Sequence, residues 1–244
     1  MRMTVISPRN DVDVLAARYA SAGCVSVPEF LPFELACAIA EELSASNLWV
    51  EIFRAGEKVY EMPHAEFLAL SPDRKVSLRS LVEAAAQDGL QYRYRAIRVA
   101  EDPTERNRRG LALDHFANVL NTPGTMKLLQ AITGSTHIAF ADAQATDYRA
   151  GDFLTTHDDA IEGKNRLFAY VYSLTPRWQA DWGGLLLLED GECVSGFLPA
   201  FNVLRLFAVP RRHHVSLVAP WVDARRLSIT GWLRSVAPTD HSGS

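Results

Sequence analysis

The length, composition and charge of the 244-residue chain exclude several classes of protein. A chain that is 48% hydrophobic and 22% charged has the composition of a globular domain, not of a disordered or fibrous protein. The 25 basic and 29 acidic side chains give a net charge of −4, which argues against general binding to nucleic acid. No signal-peptide pattern is present, and no apolar run approaches the roughly 20 residues of a membrane span. Three cysteines without C-x-x-C spacing suit a reducing compartment, so we expect a cytoplasmic protein without membrane contact.

The first 135 residues are predicted to be mostly helical. Apolar residues recur every three to four positions in several segments, as they do in amphipathic helices. The predicted helices are 11–22, 32–45, one starting at Ser71-Pro72, 111–120 and 122–134. Strands are predicted at 25–30 and 91–99, and the RNRRG segment at 106–110 is predicted to be a solvated loop.

Tyrosine and arginine alternate in the predicted strand 91–99, which allows two interpretations. A row of Arg93, Arg95 and Arg98 beside Tyr92 and Tyr94 could bind an acidic or single-stranded nucleic-acid partner. A solvated strand face is the simpler interpretation, because the net charge of the chain is negative.

After Gly134 the sequence changes to short strands that are separated by turns. Five segments are rich in β-branched and aromatic residues: 137–148, 166–174, 183–189, 202–209 and 226–236. Such spacing favours a jelly roll or barrel that is flanked by the earlier helices, and therefore a fold of the α+β class.

Residues 148–159, YRAGDFLTTHDD, contain the first candidate for chemistry. His157 and Asp159 stand one residue apart at the end of a strand-like stretch, where alternation would place both on one face. An H-x-D pair is weak evidence for a metal by itself. A third ligand, His213 or His214, would complete the two-histidine, one-carboxylate facial triad of non-haem Fe(II) oxygenases.

The last predicted strand has one polar and one apolar face. Its polar face comprises Arg226, Ser228, Thr230 and Trp232. An arginine inside a barrel would need an anionic partner, and a ligand carboxylate can bind it through two hydrogen bonds. The other interpretation is an exposed edge strand on which Arg226 forms a surface salt bridge.

Together these residues form an ordered series of motifs that resembles the 2-oxoglutarate/Fe(II)-dependent dioxygenases, and within them the prolyl-hydroxylase-like branch. The motifs are Y-x-x-G-D-F-L-x-x-H-x-D (148–159), W-x-x-x-x-G-G-L-L-x-L (178–188), N-V-L-x-L-F (202–207), H-x-V (213–215) and R-x-S-I-T-G-W (226–232). The series extends over residues 137–235 and is more specific than any single motif.

The resemblance implies a double-stranded β-helix, a jelly-roll or cupin-like core, with flanking helices mainly from the N-terminal half. A single dioxygenase domain would then span residues 1–244. Its predicted parts are helical support with outer strands at 1–135, the β-helix core with the metal site at 136–236, and a tail at 237–244.

The resemblance also implies the residues of the catalytic centre. The implied iron ligands are His157, Asp159 and His213, and the catalytic set includes Arg226, which would bind the distal carboxylate of 2-oxoglutarate. The H-x-V motif selects His213 over His214, and the R-x-S-I-T-G-W motif selects Arg226 over Arg225.

Further residues are implied to bind the co-substrate or are candidates for contact with the substrate. The co-substrate group comprises Tyr148, Ser228 and Thr230. The candidates at the substrate mouth are Tyr170, Tyr172, Trp182 and Trp232. Aromatic side chains of strands, however, more often pack in a core.

The activity that the resemblance implies is hydroxylation of a C–H bond in a prolyl residue of a protein or in a related small molecule. Fe(II), 2-oxoglutarate and O2 would take part, succinate and CO2 would be released, and ascorbate is a candidate reductant. Two alternatives are a cupin-like metal enzyme that does not use 2-oxoglutarate and a catalytically silent module that binds a peptide.

Overall fold

The computed structural model describes residues 6–235 of the protein. The helices are α1 (Val12–Ala22), α2 (Phe33–Ala45), α3 (His64–Ala69), α4 (Pro72–Ala84), α5 (Pro103–Arg109), α6 (Ala112–Leu120) and α7 (Pro123–Thr133). The strands are β1 (Cys24–Pro28), β2 (Val50–Ala55), β3 (Lys58–Pro63), β4 (Tyr92–Arg98), β5 (Phe140–Ala141), β6 (Gln144–Tyr148), β7 (Phe153–His157), β8 (Arg166–Ser173), β9 (Leu186–Asp190), β10 (Cys193–Phe197), β11 (Val203–Ala208), β12 (His213–Val215) and β13 (Arg226–Arg234). Within the described residues, no helix is long and apolar enough to cross a bilayer.

Most helix boundaries follow the capping residues that the sequence contains. The Ser71 and Thr122 side chains accept hydrogen bonds from backbone N–H groups in the first turns of α4 and α7. Gly23 ends α1 in the left-handed conformation, where a residue without a Cβ is favoured. The five predicted helices are therefore confirmed.

The structure corrects the prediction for segment 106–110. This segment forms the end of α5 and its C-cap, Gly110, and is not a solvated loop. Asp102 caps this helix and Pro103 occupies its first turn, a start signal that the basic RNRRG composition masks. Arg106 is buried, and its guanidinium donates hydrogen bonds to the carbonyl groups of Ala100 and Glu101. Because these carbonyl groups accept hydrogen bonds from its guanidinium, Arg106 can be buried in the protein.

The strands pair antiparallel in the order β1-β11-β8-β13-β6-β4-β7-β12-β9-β10. Strand β4 pairs with β6 through Arg95–Arg98 and with β7 through Tyr92 and Arg93. It thereby joins the two halves of a curled sheet that encloses a barrel interior. The hairpin of β2 and β3 extends the sheet beyond β4, and the sequence pattern does not indicate it.

The curled sheet buries its outer face against helices and its inner face around a cavity. Leu227, Ile229 and Leu233 of β13 pack in the main hydrophobic core with residues of α1, α2, α6 and α7. The opposite residues of β13 face the barrel interior, as strand alternation requires. The predicted α+β jelly roll with flanking helices is confirmed. The division at residue 135 stays a prediction, and the predicted tail 237–244 lies outside the described residues.

Candidate metal centre

Two paired strands bring the histidines of the centre together. His213 of β12 lies opposite His157 of β7, and the centroids of their rings are 4.1 Å apart. Between the pairs Val215–Leu154 and His213–His157, β12 advances by two residues and β7 by three. This irregularity resembles a β-bulge, and it lets both Leu154 and His157 face the barrel interior.

Asp159 reaches the centre from a loop and not from a strand. Strand β7 ends at His157, and Asp159 has a φ of +64°, in the left-handed region. Its Oδ1 lies 3.5 Å from His157 Nε2 and its Oδ2 lies 3.3 Å from His213 Nε2. His157 and Asp159 do lie close together, as predicted. The prediction that strand alternation places them there is wrong, because Asp159 lies beyond the end of β7.

Backbone carbonyls orient both imidazole rings toward Asp159. His157 Nδ1 lies 3.0 Å from the carbonyl oxygen of Thr155, and His213 Nδ1 lies 2.8 Å from that of Arg211. Because a carbonyl only accepts, each Nδ1 carries the proton and each Nε2 lone pair faces the centre. The three ligand atoms lie within 4.8 Å of one another, so this donor set fits a divalent ion such as Fe(II).

The electrostatic environment favours the protonation states that bind a metal. Burial and the neighbouring His213 lower the pKa of the His157 imidazole. Burial alone would raise the pKa of the Asp159 carboxyl, but the two imidazoles beside it hold this pKa below its usual value. Neutral imidazole and carboxylate are the forms that coordinate metal ions.

The neighbours of the predicted ligands point away from the centre. His214 Nδ1 lies 3.2 Å from Glu189 Oε1 on the outer face of the sheet. Arg225 donates to Asp147 Oδ2 at 2.9 Å and to the carbonyl of Ser44. Of the neighbours His213 and His214, the structure therefore directs His213 into the cavity. Of Arg225 and Arg226, it directs Arg226 there.

A cavity of about 260 Å³ extends from the metal centre into the barrel. Arg226 lines it, is 2% exposed, and has its Cζ 5.0 Å from the centroid of the Tyr148 ring. No carboxylate of the described residues pairs with Arg226, and its Nε has no hydrogen-bond partner there. Burial lowers its pKa, but a guanidinium stays charged, so the cavity is suited to an anionic ligand.

The predicted co-substrate residues lie near Arg226 to different degrees. Tyr148 stands opposite Arg226 in the β6–β13 pairing and lines the cavity, and burial raises the pKa of its hydroxyl well above the usual value. Thr230 also lines the cavity. Ser228 is fully buried beside them, and its Oγ has no partner among residues 6–235.

Of the four predicted substrate contacts, Trp232 lines the cavity with its ring. The guanidinium of Arg166 stacks on that ring, with 3.4 Å from Cζ to the centroid. Tyr170 borders the cavity, but its side chain is buried and its hydroxyl donates to the carbonyl of Asp142.

Tyr172 and Trp182 are not brought to the cavity, which corrects their predicted position. Tyr172 packs against Phe30 and Phe116 and donates to Asn202, because it shares the helix-facing side of β8 with Tyr170. Trp182 instead packs edge-on against Trp178.

Tyr92 and Tyr94 of β4 are among the cavity residues that the sequence pattern missed. The alternation of tyrosine and arginine contained the signal. Arg95 lies on the outer face beside Asp147, so the intervening tyrosines face the interior. The interpretation of Tyr92 and Tyr94 as part of a solvated face is therefore wrong.

Comparison with known families confirms the resemblance that the motifs predict. A family model of the 2OG-Fe(II) oxygenase superfamily matches residues 143–234, a range that holds all three candidate ligands and Arg226. This match supports the predicted use of Fe(II) and 2-oxoglutarate, which the donor set and the buried guanidinium fit.

Curated relatives and solved structures agree with this resemblance. The mouse protein Prolyl 3-hydroxylase OGFOD1 is 36% identical over 100 residues, which is 37% of this chain and 18% of that protein. A prolyl hydroxylase from Trichoplax adhaerens, solved with a hypoxia inducible factor peptide fragment, has a TM-score of 0.61 at 18% identity and covers 92% of this chain and 89% of its own. A Pseudomonas putida prolyl-4-hydroxylase has a TM-score of 0.57 at 20% identity, covering 91% and 98%. The match thus spans about a fifth of the curated relative, and the solved structures establish a common fold.

Proposed function

We propose that the protein is an Fe(II)- and 2-oxoglutarate-dependent dioxygenase that hydroxylates a prolyl residue of a protein substrate. The observation that carries this proposal is a buried, unpaired Arg226 in the same cavity as the group His157, Asp159 and His213. A metal centre alone would suit many reactions, whereas the added guanidinium selects a co-substrate with a distal carboxylate.

Each side chain of the cavity has a defined task in this proposal. His157, Asp159 and His213 would hold the ion, because they supply the two imidazoles and the carboxylate that Fe(II) accepts. Arg226 binds the distal carboxylate of 2-oxoglutarate, and the ring of Tyr148 lies beside the guanidinium. When bound, Fe(II) and 2-oxoglutarate supply the oxidising chemistry, in which 2-oxoglutarate and O2 yield succinate, CO2 and the hydroxyl oxygen.

The surroundings of the centre keep the ligands in place. Arg166 donates to the Asp159 carbonyl at 3.1 Å, and its guanidinium covers the Trp232 ring. These contacts link the Asp159 loop to β13.

The relatives support a prolyl substrate in a protein over a small molecule. The curated relatives carry the name prolyl 3-hydroxylase, and one structural neighbour was solved with a peptide fragment. A cytoplasmic location, the use of ascorbate and the lack of a nucleic-acid partner remain predictions.

The first test measures succinate formed from 2-oxoglutarate and O2 by protein that was loaded anaerobically with Fe(II). We expect turnover to fall more than about 100-fold in His157→Ala, because loss of an outer partner of a ligand already costs about 10- to 100-fold. His214→Ala is the matched control, since the adjacent ring faces away, and it should retain turnover.

The substrate is then identified in a cell lysate under isotopically labelled O2. Labelled hydroxyl oxygen on prolyl residues of a protein supports the proposal. Label in small molecules without any protein label would contradict the prolyl substrate. Bound iron without succinate would favour the cupin-like enzyme, and a lack of iron binding would favour the silent peptide-binding module.

A further inference from the structure

Three tyrosines form a continuous row along one wall of the cavity. The row begins at Arg226, whose Cζ lies 5.0 Å from the Tyr148 centroid. Tyr94 stacks on Tyr148 at 5.1 Å with an interplanar angle of 23°, and Tyr92 follows at 5.5 Å with an angle of 39°. The row therefore connects the anion-binding end of the cavity with the start of β4.

The Tyr92 end of the row is the open end of the cavity. Leu90 and Tyr92 are only partly buried, and Ile161 on the loop after Asp159 is 54% exposed, yet all three line the cavity. Tyr148 and Arg226, at the other end, are 3% and 2% exposed. A substrate that enters from outside meets Tyr92 first, whereas the co-substrate lies deeper.

The wall is positioned by the pairing of β4 with β7. Tyr92 lies opposite Leu154, and the backbone of Gln91 pairs with Thr155, whose carbonyl also holds His157. A ring that contacts Tyr92 is thus only a few residues along the sheet from a candidate ligand. Tyr92 and the candidate ligand His157 therefore lie on adjacent, paired strands.

The chemistry of the wall favours an uncharged ring with polarised C–H bonds. Burial raises the pKa of Tyr92, and it raises that of Tyr94 to about 12, so both rings stay neutral and keep an electron-rich face. A cationic group would also suit such a face, but Arg166 and Arg226 line the same cavity and repel it. The ring of a prolyl residue is uncharged, and its amide nitrogen polarises the adjacent C–H bonds.

We propose that Tyr92, flanked by Leu90 and Ile161, is the specificity-determining wall that holds the pyrrolidine ring of the substrate, with Tyr94 stacked behind it for support. The inference rests on the proposed function and adds the residues that select the ring. It separates the cavity into a co-substrate end at Arg226 and a substrate end at Tyr92.

The test uses nuclear magnetic resonance with protein that is loaded with Zn(II) and 2-oxoglutarate, so that no turnover occurs. The probe is N-acetyl-L-prolinamide, with N-acetyl-L-valinamide as its acyclic counterpart. In the wild type we expect the pyrrolidine protons to shift upfield, because they lie over an aromatic face. Tyr92→Phe should keep this shift, whereas Tyr92→Leu should lose it and bind the probe about threefold to tenfold more weakly.

Tyr60→Leu is the matched control, because Tyr60 stacks on Phe53 in the β2–β3 hairpin and does not line the cavity. It should leave the shift unchanged. The proposal is overturned if Tyr92→Leu retains the wild-type shift, if the wild type shows no shift, or if both probes bind equally. Succinate formation without substrate should be equal in Tyr60→Leu and the wild type. Its absence from the wild type would instead count against the proposed function.

Discussion

Arg95 and Arg226 are both almost fully buried in the same sheet, at 3% and 2% exposure, but their surroundings differ. Arg95 belongs to an outer charge cluster, which we define as Arg95, Asp147, Arg225, Glu51 and His64. Arg95 pairs with Asp147, and its guanidinium lies 3.1 Å from His64 Nε2. Arg226 faces the cavity and finds no carboxylate in the described part of the chain.

This difference separates a charge that serves the fold from a charge that serves a ligand. Burying a guanidinium is costly unless a counter-charge compensates it. The outer charge cluster contains its own counter-charge in Asp147, which is fully buried and contacts Arg95 and Arg225. The charge of Arg226 is left for an anion that enters the cavity. Three substitutions test this contrast.

The largest effect is expected from Asp147→Asn, on stability. The change leaves the buried Arg95 without the carboxylate that pairs with it, so the free energy of unfolding should fall by about 3–5 kcal/mol in chemical denaturation. Glu61→Gln is the control. Glu61 pairs with Arg98, which lies on β4 like Arg95, but this ion pair is exposed and should contribute less than about 1 kcal/mol. Equal losses in the two variants would contradict the structural role of the cluster.

Arg226→Met should have the opposite profile. Removing an unpaired buried charge should leave the free energy of unfolding unchanged or slightly higher. The dissociation constant for 2-oxoglutarate should rise about 10- to 100-fold, because hydrogen bonds to a charged group are lost. Calorimetric titration of metal-loaded protein measures it, and Arg226→Lys should give an intermediate value. A destabilised variant with intact 2-oxoglutarate binding would make Arg226 structural.

The smallest effect concerns Asp152, at the border of the outer charge cluster. Arg93 Nε donates to it at 2.7 Å, yet burial raises the pKa of this carboxyl from 3.8 to about 6. The native state therefore holds the proton more tightly than the unfolded state, and the stability from this group is lost as pH rises through about 6.

The free energy of unfolding of the wild type relative to Asp152→Asn should thus fall by on the order of 1 kcal/mol between about pH 5 and pH 7. Denaturation of both proteins at each pH measures the difference. A constant difference would show that the Arg93 pair fully compensates the burial.

The sequence contained the chemistry of the candidate site, because residue type and order carry it. Two histidines, one carboxylate and a distant arginine are the residue types that suit a metal and an anion. The helix caps Ser71 and Thr122 are equally local signals, since the side chain bonds the backbone of its own helix. The hairpin of β2 and β3 was missed because its strands are stabilised by pairing with β4, a contact distant in sequence.

The tertiary structure decided which side of each strand faces the cavity. Alternation makes His213 and His214, or Arg225 and Arg226, point to opposite faces, but the partner strands determine which face is inside. The same rule brings Tyr92 and Tyr94 into the cavity and places Tyr172 against the helices. Asp159 needs a left-handed turn after β7, which pairing and loop closure impose. The residue types were thus set by the sequence, and their convergence on one cavity depends on how the sheet curls.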